Sequence, residues 1–443
     1  MRHRKIPVAC VQTRAADRED FPSAWVAVLA ALERAASAGA ALVVLPEGTV
    51  PAYVLGTEPV DATLLHRAFE DVSRIARRFG TTIVYGTARI QDGRTYNGAV
   101  VVGPDGAELG AAHKQFLWHF DRRWFARGEA LEPVDSPAGR LGVLVCADGR
   151  LPTIARTLVE RGAEILVMPT AWVTSGRDPA ALENLQADLL VNVRAAENGV
   201  PFVAANKSGV ERGAVAYCGK SAIVRGDGTF AARAPEHEPC VIEAELEVGL
   251  PPRAFPPVPG FSAPALRTVP LPARLAFTPS RDPDELARFA ELSRLADCDG
   301  VLAPGSGVAG TVIQLAGVAA AVVDDAVVRN PAGLVAARLS GLDLFVWQTA
   351  GNGADVTSFA RTRAAELRAY VVVLPQESQG RAFAVDPDGA IVAGTFGDFR
   401  LAAFAYDPKR TAATQVAPHT DVLEGLRAVS LLRERATSEV SIG

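Results

Sequence analysis

Three residues in the first half of this 443-residue chain have types and positions that could do chemistry: Glu47, Lys114 and Cys146. Cys146 follows the apolar run Leu141 to Val145 and precedes Ala147-Asp148-Gly149 and a helix signalled by Pro152. A thiol at the carboxyl end of a buried strand, beside a helix N-terminus, stands where α/β folds place ligands and where a thiolate is favoured. Glu47 ends a second apolar run, Ala41 to Pro46, and an acid there is costly to bury without a task or a partner. Lys114 precedes the aromatic stretch Phe116 to Phe120. A nucleophile, an acid/base group and a fixed cation suit attack on the weakly electrophilic carbon of a C–N bond. Singly, each has a plainer reading: Cys146 as a small buried apolar residue, Glu47 and Lys114 as ion-pair partners.

The elements that must position them alternate. Strands are predicted at Ile6–Gln12, Leu42–Leu45, Thr82–Ala88, Leu141–Val145, Ile165–Met168 and Pro201–Ala205. Helices are predicted at Phe21–Ala38, Ala62–Arg78, Thr153–Arg161 and Pro179–Asn198, with Gly39, Gly80, Gly162 and Gly199 as stops. A hairpin from Tyr96 to His113 turns at Gly103-Pro104-Asp105-Gly106 and delivers Lys114. The fold class is therefore α/β with mixed sheets.

The order strand–Glu47, hairpin–Lys114, strand–Cys146–turn–helix resembles the nitrilase superfamily, the carbon–nitrogen hydrolases, over roughly the first 260 residues. The resemblance implies an α-β-β-α sandwich and no metal or organic cofactor. It implies roles too: Cys146 attacks, Glu47 takes and returns the proton, Lys114 offsets the oxyanion, and water hydrolyses a thioester. Many members carry a second glutamate after the lysine. That position falls on Asp121, which could instead pair with Arg122 or Arg123 in a loop. Cys146-Ala147-Asp148-Gly149-Arg150-Leu151-Pro152 looks more like amidase and carbamoyl-amide hydrolase members than like nitrile-hydrolysing ones. Arg150 could clamp a substrate carboxylate or pair with Asp148. With Asp121 and Arg150, Thr170 and Trp172 complete the expected substrate-binding set. The loops 51–59 and 115–127 would face the substrate, the second with Trp118, Phe120, Trp124 and Phe125. The substrate implied is a small amide or N-carbamoyl compound. The alternatives are a nitrilase yielding acid and ammonia, or a catalytically silent binding or assembly protein.

Prolines between Pro251 and Pro264 suggest a linker, giving a catalytic domain at 1–250, a linker at 251–272 and a second domain with a C-terminal arm at 273–443. The second domain reads as a shortened tandem copy. Leu334–Thr349 aligns with Ala155–Thr170 without a gap, and Arg363-Ala364-Ala365-Glu366 echoes Arg194-Ala195-Ala196-Glu197. Gly305 then stands where Glu47 would be and Asp325 where Cys146 would be, and nothing corresponds to Lys114. This makes the copy a pseudoenzyme domain, able to act as an attached partner where family members commonly dimerise; homo-oligomers are compatible with this.

Composition narrows the rest. The chain is 49% hydrophobic and 21% charged, as an ordinary globular protein is. A net charge of −5 with no basic stripe argues against nucleic acid as a partner. Five scattered cysteines point to free thiols in a reducing compartment, and no run is long enough to span a membrane. The expected location is cytoplasmic.

Overall fold

A computed structural model describes residues 3–174, 182–254, 260–261, 271–351, 353–377 and 380–440. The chain divides into two compact units: one runs to Arg253 and takes in the C-terminal end from Val429, and the other is Ala254–Ala428.

The first unit has two sheets. In the larger one, β1 (Arg4–Arg14) lies parallel to β2 (Leu42–Val44), and β2 parallel to β3 (Thr82–Gln91). Antiparallel hairpins extend it through β4 (Arg94–Val102) to β5 (Glu108–His113). The smaller sheet holds β6 (Leu141–Val143), β7 (Ile165–Pro169) and β8 (Phe202–Ala205), all parallel. On the far side of β1 the larger sheet continues with β9 (Lys207–Glu211) and β10 (Val215–Cys218). Beyond β8 the smaller sheet adds the antiparallel strands β11 (Ala222–Val224) and β12 (Phe230–Arg233). The strand β13 (Cys240–Val248) pairs antiparallel along β1.

The burial follows the apolar pattern. Helices α1 (Phe21–Ser37) and α2 (Ala62–Phe79) seal the larger sheet with Leu32, Ala35, Val72 and Ile75 against Val43, Leu45 and Ile83. Helices α3 (Pro152–Glu160) and α4 (Val191–Asn198) pack on the smaller sheet, and β2 and β3 pack on β7. Four layers result, helix–sheet–sheet–helix, with β2 and β7 at the centre; their residues are wholly buried, as strands covered on both faces must be.

Some boundaries differ from expectation. The strand before Cys146 ends at Val143, since the chain must turn under the sulfur. The predicted helix from Pro179 has its first residues outside the described ones; its described part begins as a wide turn, Gln186–Leu190, that runs into α4.

The second unit also has two main sheets. In one, β14 (Ala273–Phe277) is parallel to β15 (Gly300–Leu302) and antiparallel to the late strand β22 (Ala402–Tyr406), as β1 is to β2 and β13. The other contains β16 (Val312–Leu315), β17 (Val318–Val323), β18 (Leu344–Thr349), β19 (Tyr370–Pro375), β20 (Phe383–Val385) and β21 (Ile391–Gly394). From β17 to β21 the order and senses are those of β6, β7, β8, β11 and β12. Helices α5 (Pro283–Leu295), α6 (Asp325–Arg329), α7 (Pro331–Leu339) and α8 (Gly353–Leu367) complete it.

Candidate active site

Glu47 leaves β2 in a turn that only glycine neighbours allow. A Cβ on Gly86 of β3 would sit 2.5 Å from the Glu47 Cα, and one on Gly48 (φ +54°) would sit 2.6 Å from the Tyr53 Cα. The chain therefore doubles back directly after the acid. The Glu47 backbone N–H donates to the Thr170 carbonyl at 3.2 Å, which joins the ends of β2 and β7.

Glu47, Lys114 and Asp121 have side chains with no solvent exposure. Lys114 Nζ lies 2.8 Å from Glu47 Oε1 and 2.6 Å from Asp121 Oδ2. Asn97 Nδ2 donates to the same Glu47 oxygen at 2.6 Å. Burial alone would lower the Lys114 pKa, but the negative charges of Asp121, then Glu47, hold it well above its ordinary value, so the side chain is an ammonium. Asp121 is held in turn by the Trp118 backbone N–H, which donates to Oδ2 at 2.8 Å. This corrects the expectation of a loop ion pair for Asp121: its carboxylate is buried against Lys114 inside the site.

Cys146 opens the short helical turn Cys146–Arg150 with φ +48°, a left-handed conformation that side chains seldom adopt. Such strain costs about 1–3 kcal/mol and collects at functional sites. Burial, then the Glu47 charge, pushes the thiol well above its usual pKa. Lys114, the Thr170 hydroxyl and the Ala171 N–H act in the opposite direction on the same sulfur. The resting Cys146 side chain is thus a neutral thiol, which would need a base to act as a nucleophile. Glu47 Oε2 is buried and without a hydrogen-bond partner, as are Asp121 Oδ1 and Trp172 Nε1.

Asp148 was absent from the sequence expectations as a functional residue. Its Oδ1 accepts from the backbone N–H groups of Gln115 at 3.0 Å and Phe116 at 2.8 Å, and its Oδ2 from Val145 at 3.0 Å. It ties the strand end carrying Lys114 to the turn carrying Cys146. Of the substrate-binding set, Thr170 lies beside the sulfur, whereas Trp172 is buried and anchored through its backbone N–H to Asn206 Oδ1 at 2.7 Å. Arg150 lies with its guanidinium 4.6 Å from the centre of the Trp118 ring, and the Asp148 oxygens serve backbone donors. Phe120 contacts Tyr53 and Trp124 at ring distances of 5.4 and 5.2 Å, while Phe125 is core. The wall nearest the acids is completed by Tyr53, from the loop 51–59, and by the unforeseen Tyr217, with ring centres 6.3 Å apart. Among the described residues, no group of three or more His, Cys, Asp or Glu is arranged to hold a metal ion, and no helix is long and apolar enough to cross a membrane.

Residues 7–250 match the carbon-nitrogen hydrolase family. The chain belongs to that family, within the nitrilase superfamily, and is a hydrolase. It is 32% identical over 225 residues to a nitrilase of Pyrococcus abyssi, covering 49% of this chain and 81% of that one. It is 31% identical over 229 residues to an omega-amidase of Xenopus laevis, covering 49% of this chain and 80% of that one. An amidase from Nesterenkonia sp., known from its crystal structure, is 26% identical with a TM-score of 0.49, covering 55% of this chain and 90% of that one.

Proposed function

We propose that the first unit hydrolyses a small amide or N-carbamoyl compound through a thioester on Cys146. The observation that carries this is the half-committed pair of buried carboxylates: Glu47 and Asp121 each spend one oxygen on Lys114 and leave the other without a partner. An amide or ureido –NH2 has N–H donors for such oxygens, whereas a nitrile nitrogen is only an acceptor. Amidase and omega-amidase names stand among the relatives, beside nitrilase names, so the names alone do not choose between the two.

In this reading Glu47 takes the thiol proton as the sulfur bonds to the carbonyl carbon. The negative charge that develops on oxygen is offset by Lys114 and by backbone N–H groups of the Cys146 turn. As the C–N bond breaks, Glu47 returns the proton to the leaving nitrogen and ammonia departs. Water, deprotonated by Glu47, then attacks the thioester; the acid leaves and the thiol is reprotonated. Asp121 keeps Lys114 charged and aimed. Matched amide, ureido and nitrile substrates test the reading. Ammonia alone from the amide, or ammonia with carbon dioxide from the ureido compound, supports it, together with an acyl adduct that mass spectrometry finds on Cys146 and not in Cys146→Ala. Turnover of the nitrile alone would replace it with the nitrilase reading, and no adduct from any of the three with a binding role.

For the second unit, we infer a shortened copy that has lost its nucleophile. Counted from Pro331 against Pro152, Asp325 falls on Cys146, and contacts made by Arg363 and Asp325 agree with that register. Arg363 Nε donates to the Val328 carbonyl as Arg194 Nε does to that of Gly149, at 2.7 and 3.0 Å. Each arginine also pairs with a glutamate three residues on, Glu366 and Glu197. Asp325 accepts from the Thr349 hydroxyl at 2.6 Å and the Ala350 N–H at 3.1 Å, the counterparts of the Thr170 and Ala171 groups that face the Cys146 sulfur.

A further inference from the structure

Lys207 and Glu211 are buried charges that the chemistry above does not use. They lie four residues apart on β9, hence on one face of it, with Nζ 3.5 Å from Glu211 Oε2. Both reach across to the loop that follows Glu47. Lys207 Nζ donates to the Gly48 carbonyl at 2.9 Å, one residue beyond the base. Glu211 Oε1 accepts from the Val54 backbone N–H at 2.6 Å, one residue beyond Tyr53. Glu211 Oε2 accepts from the Tyr217 hydroxyl at 2.7 Å, and the Tyr217 ring packs edge-on against Tyr53. Lys207 Nζ lies 5.5 Å from the Tyr217 ring centre, and Lys114 Nζ lies 5.8 Å from that of Tyr53. The loop from Gly48 to Val54 is thus held at both ends by one ion pair, and the two tyrosines connect that pair to the catalytic lysine.

Buried ion pairs add little net stability over apolar residues of the same volume, so stability is a poor account of this one. What it supplies is direction: it fixes two backbone groups of a loop whose ends carry Glu47 and Tyr53. We propose that the Lys207–Glu211 pair is a positioning device for hydrolysis, setting where the Glu47 carboxylate and the Tyr53 ring stand relative to Cys146. Neither residue touches the reacting atoms. Misplacing a base by about 1 Å can cost on the order of a hundredfold in rate, so the device is felt in turnover before it is felt in binding.

This inference rests on the amidase reading, and one experiment separates the two. Kinetics are measured for wild type, Lys207→Met, Lys207→Arg, Lys207→Gln and Glu211→Ala on whichever amide or ureido compound wild type hydrolyses, at a temperature below each melting transition. Lys207→Met and Glu211→Ala are expected to lose at least tenfold in kcat with KM changed less than threefold, and Lys207→Arg to recover to within about threefold of wild type. Folded Lys207→Met with wild-type kcat, a loss confined to KM, or an arginine variant no better than methionine overturns the proposal. If Lys207→Met does not fold, the comparison moves to Lys207→Arg against Lys207→Gln, where equal kcat values overturn it. A wild type that hydrolyses no amide or ureido compound removes the amidase reading, and the positioning role for it falls too; active wild type with indifferent variants sinks only the positioning role.

Discussion

The Asp148 carboxylate accepts from the Phe116 backbone N–H at 2.8 Å, thirty-two residues away along the chain, and so fastens the lysine's strand end to the cysteine's turn. Two more backbone donors, Val145 and Gln115, converge on the same side chain. All three partners are backbone groups, and the distance between Lys114 and Cys146 depends on them. Asp148→Ala strands three buried N–H groups, each worth about 1–3 kcal/mol when unpaired. The expected result is a clear drop in melting temperature together with a loss of kcat that exceeds the change in KM, read by calorimetry and steady-state kinetics.

The same residue makes a pH prediction with a definite sign. Burial raises the Asp148 carboxyl to about 6, against the opposing pull of the Phe116 and Val145 N–H groups, Lys114 and Gln115. Between the unfolded value near 4 and about 6, the folded chain holds a proton that the unfolded chain has released. Its contribution to stability is therefore greatest below pH 4 and is lost as pH rises through 6. Melting curves should show a larger advantage of wild type over Asp148→Asn at pH 4.5 than at pH 7.5. An advantage that grows toward neutral pH would mean that the N–H donors outweigh burial.

Removing Lys114 leaves two fully buried carboxylates facing each other without their cation. Loss of one partner from a buried charged set costs about 3–5 kcal/mol. Lys114→Met is therefore expected to be strongly destabilised as well as inactive. Asp121→Asn keeps the Trp118 contact and one acidic partner for the lysine, so it should fold and lose roughly ten- to a hundredfold in kcat. Thermal melts beside single-turnover kinetics distinguish the two, and a Lys114→Met protein as stable as wild type would contradict the charge assignment.

The Cys146 thiol is held neutral by burial and then by Glu47. Glu47→Gln removes the second cause while Lys114 stays, so the thiol should ionise more readily. Iodoacetamide is expected to alkylate Cys146 faster in Glu47→Gln than in wild type at pH 8, although amide turnover is lost. Mass spectrometry of the Cys146 peptide against time reads the rate. Slower alkylation in the variant would indicate that Glu47 acts on the resting thiol as a base more than as a repelling charge.

How far the chain can be read in advance depends on what each residue stands next to. Glu47 and Cys146 follow unbroken apolar runs, where a polar side chain is conspicuous. Asp121 lies among arginines and aromatics, so its inward turn toward Lys114 was hidden; the cue was its spacing from Trp118, three residues, which lets it cap the turn. Asn97, Lys207 and Glu211 sit in short mixed strands where alternation predicts half of the residues to face solvent. Only tertiary contacts, such as those of Lys207 and Glu211 with the loop after Glu47, reveal that these faces are buried. Asp148 was visible as a turn residue, but its partners are set by tertiary contact and no local pattern names them.

The second unit offers the last test. Asp325 accepts from the Trp347 indole N–H at 2.9 Å, besides the Thr349 hydroxyl and the Ala350 N–H. The carboxylate is therefore engaged on both oxygens, which on the proposed reading makes it a structural group at the position of Cys146. Restoring a thiol by Asp325→Cys removes these strong acceptors, leaves the Trp347 N–H in a buried setting without its oxygen, and adds neither a Glu47 nor a Lys114 equivalent. The expected outcome is a protein that melts lower and forms no acyl adduct on residue 325, with hydrolysis still lost in the Cys146→Ala background. An adduct at residue 325 in that double variant, seen by peptide mass spectrometry after incubation with substrate, would show a working second site and end the reading of this unit as silent.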